Sequence, residues 1–294
     1  MNLRSAMLFL FAVSMPLSAT AQQPLKVLIS VDMEGIDGVA TRVQSAPGGT
    51  EYEKYRRLMT LEVNAAVDGA FLAGATEVVV ADSHGNAQNV DIELLDSRAR
   101  LIRGWPRAYG MVHGIDSSFA AVAFVGFHAS EGQSPGTLAH TFFGTLEVSL
   151  NGKKVPEGGF AAAIAGEFGV PVVFVSGDQV IARELRALLG PIEAAVVKDA
   201  IGIHATNMRP LEEARRLIRD GVKRGVERRS QIQPFRISRP VRLELRWEDP
   251  VMTEILALMR GVRRIDGQTV IFEGTDMLDV ARFFEVVHHI RSPH

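Results

Sequence analysis

Short apolar runs that alternate with helical patterns constrain this chain more than any other feature. Residues 25–31 (LKVLISV), 77–81 (EVVVA) and 120–127 (AAVAFVGF) are dominated by apolar side chains, and 171–175 and 194–197 repeat the pattern. A strand with one wet face alternates polar and apolar residues; runs that do not alternate belong in a sheet covered on both sides. Helical patterns occupy 51–73, 160–168, 179–189, 212–229 and 275–290, with a short extended segment near 99–102. The expected fold is α/β, a mostly parallel sheet with helices on both faces. Residues 146–150 and 153–155 flank Asn151-Gly152, which suits the tight turn of a hairpin. Beyond Pro240 the pattern changes. Residues 241–246 (VRLELR) alternate, and 268–272 offer a partner, so a smaller α+β C-terminal part is expected. The junction falls in the polar, proline-bearing stretch 230–240, dividing the mature chain into 22–235 and 236–294.

The first 21 residues read as a signal peptide. Arg4 precedes the apolar run 6–17 (AMLFLFAVSMPL), and Ala19-Thr20-Ala21 fits an export cleavage site. The run is shorter than the ~20 residues a membrane-spanning helix needs, so no stable membrane insertion is expected. Cleavage after Ala21 would start the mature chain at Gln22, in the periplasm or outside the cell.

Composition removes several kinds of chemistry. Lys and Arg number 32 against 34 Asp and Glu, a net charge of −2, which argues against a general nucleic-acid binder. There is no Cys, hence no disulfide, thiol nucleophile, iron–sulfur cluster or thiolate zinc site. Any metal must be held by His and carboxylates.

In an open α/β sheet, ligands bind beyond the carboxyl ends of the strands. There the first run leads into Asp32-Met33-Glu34, the second into Asp82-Ser83-His84, and the third ends Gly126-Phe127-His128. Asp32 and Glu34 are two residues apart, so they share a face of an extended chain. Two such anions repel unless a cation or proton lies between them. With His84 and His128 they make an oxygen and nitrogen donor set suited to Zn2+, Mn2+ or Co2+, and rich enough in carboxylate to hold two metals. Gly132-Gln133-Ser134-Pro135-Gly136 matches the nucleophile elbow of serine hydrolases in letters only. The residue after that serine must donate a backbone N–H, and Pro135 has none. His288, His289 and His294 read as partners of a helix C-terminus rather than ligands. His113 and His204 carry no motif and read as structural.

Ser30–Gly35 (SVDMEG), Asp82-Ser83-His84, Gly126-x-His128, Ser134-Pro135-Gly136 with His140, and Pro156-Glu157-x-Gly159 occur in one order. In this the chain resembles the dinuclear-zinc D-aminopeptidases, over about residues 25–290. The resemblance implies two Zn2+ per subunit with Asp32 bridging, Glu34 and His128 on one ion, and His84 and Glu157 on the other. It puts His140 at the family's catalytic nucleophile position; general chemistry also lets such a histidine act as acid or hold the oxyanion, with the metal-bound hydroxide attacking. The resemblance also implies short peptide substrates and a ring-like homo-oligomer. Ala161 and Gln179 stand where the family usually carries Asn and Asp, and the His128–His140 loop is one residue longer. The export signal is a further departure. The expected function is therefore release of N-terminal residues, D-amino acids by resemblance, through a zinc-activated water. The alternatives are a dinuclear-metal phosphoesterase, which would want phosphate-binding Arg or Lys, and a non-catalytic periplasmic peptide-binding protein.

Overall fold

A computed structural model describes residues 24–142 and 144–291. The expected signal peptide and His294 lie outside the described residues. Strands β1 (Lys26–Val31), β2 (Glu77–Asp82), β3 (Ala99–Ile102) and β4 (Phe119–Val125) grow from the first apolar runs. Helices α1 (Arg42–Ser45) and α2 (Tyr52–Leu72) lie between β1 and β2. A hairpin, β5 (Thr145–Leu150) and β6 (Lys153–Lys154), follows β4. Next come α3 (Glu157–Glu167), β7 (Val172–Asp178), α4 (Gln179–Leu189), β8 (Glu193–Gly202), β9 (Ala205–Met208) and α5 (Leu211–Glu227). The chain closes with β10 (Val241–Trp247), α6 (Pro250–Leu256), β11 (Val262–Arg264), β12 (Thr269–Gly274) and α7 (Met277–Arg291).

The main sheet has seven strands in the order β3-β2-β1-β4-β7-β8-β9, parallel except for β8 against β9. The α/β expectation is met. Five of the six residues of β1 and of β2 are buried, because both faces are covered. Fully burying a Val or Ile side chain contributes about 1.5–3 kcal/mol, which is why apolar runs this dense form the centre of the sheet. β1 leads to β2 on one side, whereas β7 leads to β8 in the opposite direction. Right-handed crossovers then put α2 and α4 on opposite faces. α5 packs against α2 and shares its face. The strand order reverses between β1 and β4, the place where open α/β sheets bind ligands.

The second sheet is antiparallel, in the order β11-β12-β10-β5-β6. Along β10, Val241, Leu243, Leu245 and Trp247 are buried while Arg242 and Arg246 are exposed, the alternation expected of a strand with one wet face. Asn151 and Gly152 both have positive φ, 49° and 78°, as the hairpin turn requires. This sheet takes strands from both sides of residues 235/236, because β10 pairs with β5, Leu243 opposite Leu150. α7 packs on β10 and β12 and reaches α3. The C-terminal helix therefore arrives beside the strand ends of the main sheet. Among the described residues no helix is long and apolar enough to cross a membrane.

Candidate metal centre

Asp32 follows β1 directly, and Glu34 sits in the turn after it. Backbone bonds tie this turn to its neighbours: Asp32 N–H donates to Val125 O at 2.9 Å, Gly35 N–H to Gly126 O at 2.7 Å, and Ser83 N–H to Val31 O at 2.9 Å. Such close approach needs glycine. A Cβ on Gly126, whose φ is +70°, would lie 2.2 Å from Asp32 O, and one on Gly35 would lie 2.0 Å from Phe127 O. Below the turn, the fully buried Lys198 of β8 donates from Nζ to Glu34 O (2.6 Å), Ile36 O (2.9 Å) and Val39 O (2.6 Å). All three ammonium donors are thus spent on the loop that carries Glu34.

Two imidazoles reach Asp32 from the two strands that flank β1. His84, after β2, has Nδ1 3.1 Å from Asp32 Oδ1 and 2.9 Å from Glu34 Oε2. His128, after β4, has Nε2 3.4 Å from Asp32 Oδ2 and 3.7 Å from Glu157 Oε1. One carboxylate therefore divides between two imidazole–carboxylate pairs. Through these contacts Glu34 lies against His84, and Glu157 against His128. The reason is topological. β2 and β4 lie on opposite sides of β1, and Glu157 is bound to the β4 side, where Phe142 N–H donates to its Oε1 at 2.6 Å. The halves remain contiguous, since Asp32, Glu34 and His128 present ligand atoms within 4.8 Å of one another.

Each imidazole is oriented by a backbone carbonyl. Nε2–H of His84 donates to Ser45 O at 2.6 Å, Nδ1–H of His128 to Ala129 O at 3.0 Å, and Nδ1–H of His140 to Leu138 O at 2.8 Å. The opposite nitrogen of each ring then faces the carboxylates, the arrangement by which proteins orient a ligating histidine. Asp82 is an anchor rather than a member of the cluster. It accepts from Asn89 N–H and Val90 N–H, and Asn89 Nδ2 in turn donates to His84 O at 2.6 Å.

Electrostatics favour a cation here. Burial would push the Asp32 carboxyl up, but bonds and charge from His128 and His84 outweigh it and hold the carboxyl well below its usual range. Burial likewise pushes Glu157 up, and His128, His140 and the Phe142 N–H overcome this and hold it down. Burial pulls the imidazoles down, yet Glu34 and Asp32 raise His84, and Glu157 and Asp32 raise His128, well above the ordinary histidine value. The buried carboxylates demand positive charge, and the donor set of carboxylate oxygen and imidazole nitrogen fits divalent zinc, manganese or cobalt.

His140 joins the cluster through a loop that closes on itself, His140 N–H donating to Ala129 O at 3.1 Å. Its ring stacks on His128 with centroids 4.0 Å apart, and its Nε2 is 3.6 Å from Glu157 Oε1. All six expected residues thus converge and line one cleft of about 320 Å³. Ser134 lies instead in an exposed turn. His288, read as a helix-end residue, lines the cleft beside Phe284. His289 donates from Nδ1 to Glu285 O at 2.8 Å. Sequence reasoning missed Lys198, whose signal was one lysine inside the apolar stretch of β8. It also missed Ser45, which sits on a helix of one turn, and Phe142, Phe160 and Phe284, whose apolar character marked only a core.

A mostly parallel α/β sheet with a buried carboxylate–imidazole cluster beyond its strand ends is the architecture of a metal-dependent hydrolase. The peptidase M55 family model, described as D-aminopeptidase, matches residues 25–286. The D-aminopeptidase of Bacillus subtilis (strain 168) is 34% identical over 258 residues, covering 87% of this chain and 93% of its own length. The solved structure of the Zn-dependent D-aminopeptidase DppA from Bacillus subtilis, described as a self-compartmentalizing protease, superposes with a TM-score of 0.87. It is 31% identical, over 92% of this chain and 100% of that one. The chain belongs to the D-aminopeptidase family.

Proposed function

We infer that this protein is a metal-dependent aminopeptidase that releases N-terminal residues, D-amino acids among them, from short peptides at a dinuclear zinc centre. The division of the Asp32 carboxylate between two imidazole–carboxylate pairs carries this reading. Asp32, Glu34, His84, His128 and Glu157 would together hold the ions. When bound, two such ions supply Lewis acidity toward the peptide carbonyl and a water of lowered pKa.

The chain's own residues do the rest. Glu157 stands at the first position of α3, where the helix dipole favours a carboxylate. His140, held by Leu138 O, directs Nε2 toward the reacting region and moves the proton that the leaving amine needs. Phe142, Phe160 and Phe284 line the cleft and limit water. Among the described residues lining the cleft there is no Lys or Arg, the side chains that a phosphoester site would want.

Export belongs to the same proposal and rests on Arg4, the apolar run and Ala19-Thr20-Ala21. Self-assembly is supported by the self-compartmentalizing relative. Metal analysis of purified protein, then release assays on paired D- and L-alanyl peptides, tests the activity. About two metals per chain and metal-dependent release are expected, with p-nitrophenyl phosphate left intact. A metal content near zero that added Zn2+ does not raise contradicts the centre. N-terminal sequencing of exported protein should begin at Gln22; an intact Met1 start in the cytoplasm contradicts export.

A further inference from the structure

Besides limiting water, the aromatic wall of the cleft has a second use. Phe142, Phe160 and Phe284 come from the β4–β5 connection, α3 and α7, and their ring centroids lie 4.5 Å (Phe142–Phe284), 4.8 Å (Phe160–Phe284) and 5.7 Å (Phe142–Phe160) apart. Two tethers fix this wall to the reacting centre. Phe142 N–H donates to Glu157 Oε1 at 2.6 Å, and Phe160 follows Glu157 by three residues on the same helix, hence on the same face. Ile164 continues that face by one more turn, and the small Ala161 and Ala281 line the same cleft.

We propose that this wall is the side-chain subsite for the residue released, and that it takes apolar and aromatic side chains in preference to small ones. The proposal rests on the aminopeptidase reading. The scissile carbonyl must lie at the carboxylate–imidazole cluster for chemistry to occur. The released residue is bonded to that carbonyl through its Cα, so its side chain lands within a few ångströms of Glu157. The Phe142–Phe160–Phe284 wall is the apolar surface joined to Glu157. An apolar side chain entering there leaves water for a surface built of rings, whereas glycine leaves the wall uncovered. The cleft volume, about 320 Å³, matches the lower range of pockets that take small ligands.

Two peptide series on the zinc-loaded full chain test this. In X-Ala, X runs through Gly, Ala, Leu and Phe, the chiral residues in both enantiomers; in Ala-X the same residues occupy the leaving side. In the preferred enantiomer, kcat/KM for X-Ala should rise about tenfold or more from Gly to Leu or Phe, with a smaller change in Ala-X. Phe284→Ala should lower the Leu-to-Gly ratio in X-Ala by about tenfold. Ala281→Phe, which enlarges a small residue of the cleft lining, should lower the Phe-to-Gly ratio as strongly. The ratios cancel any general loss of activity, and the wild-type series decides the matter if a variant does not fold. Release that is flat or falling with the size of X overturns the subsite alone. A size dependence found only in Ala-X assigns the wall to the leaving residue and overturns it too. No release from any peptide overturns the aminopeptidase reading and the subsite with it.

Discussion

Asp32 is the residue on which both halves of the centre depend, since its two oxygens face His84 and His128 separately. Asp32→Ala should therefore cost both metals, read as stoichiometry after dialysis, whereas His84→Ala should chiefly weaken one. His140→Ala should keep the metals and lower kcat by about 10²-fold or more, the scale of a lost acid–base group. Loss of metal in that variant would make His140 a ligand, which its nearness to His128 and Glu157 makes a real contest. Metal uptake should also release protons. His84 and His128 are held protonated by their carboxylates, and binding needs them neutral. Calorimetric titration with Zn2+ in buffers of different ionisation enthalpy should report that release, and activity should fall as the solution is made acid. Lys198→Met removes the donor from three buried carbonyls at once. It should lower stability by about 3 kcal/mol or more in thermal or urea unfolding.

At the scale of elements, the centre is an outcome of strand order. β1 lies between β2 and β4 in the parallel part of the sheet, so three consecutive strand ends meet where Asp32, His84 and His128 emerge. The glycines at the junction let the β1 and β4 turns touch. Gly126→Ala would force a Cβ to within 2.2 Å of Asp32 O at a φ of +70°. It should destabilise the fold by about 3 kcal/mol and weaken metal binding together, measured by unfolding and metal titration on one sample. α1, with one turn, and α7, at the far end of the chain, complete the centre. The first supplies the Ser45 carbonyl to His84, and the second supplies Phe284 to the aromatic wall.

In the whole molecule, buried charge makes stability depend on pH. Burial pushes Glu62 up to about 8, against an ordinary 4.5, and Asp37 up to about 6. The native state holds these protons more tightly than the unfolded chain. The resulting stabilisation is complete below about pH 4.5 and is lost as pH rises through about 8 for Glu62. Burial pushes Lys198 down to about 8, so its own contribution varies only between that value and 10.5. Thermal unfolding of chelator-treated protein should show stability falling between pH 5 and 8, and Glu62→Gln should flatten that slope. An unchanged slope would assign the pH dependence elsewhere. Self-assembly is checked by sedimentation velocity at micromolar concentration, where a species of several chains is expected and a lone monomer would contradict it.

The sequence by itself determined the α/β class and placed Asp32, Glu34, His84 and His128 at strand ends, which the fold brings to one cleft. Runs such as LKVLISV and EVVVA have no wet face, and Asp32, Glu34, His84 and His128 stand just past such runs. Where a strand ends is a local property, and in a parallel sheet all such ends meet at one edge. Which side chain faces which was not legible, because it depends on strand order and on the turn that Gly126 makes at positive φ. The pairing of Glu34 with His84 came from that geometry. The second sheet was half legible: the alternation along β10 announced a wet-faced strand, but its pairing with β5 joins residues about 95 positions apart. β9, α6 and β11 are too short to leave a period in the sequence. Lys198 read as an ordinary charge, and only the folded chain surrounds it with three carbonyls of the Glu34 loop. Phe142, Phe160 and Phe284 had the composition of a core. The tertiary structure decided that they form the wall of a cleft, because only packing of α7 against α3 brings the end of the chain to the metal centre.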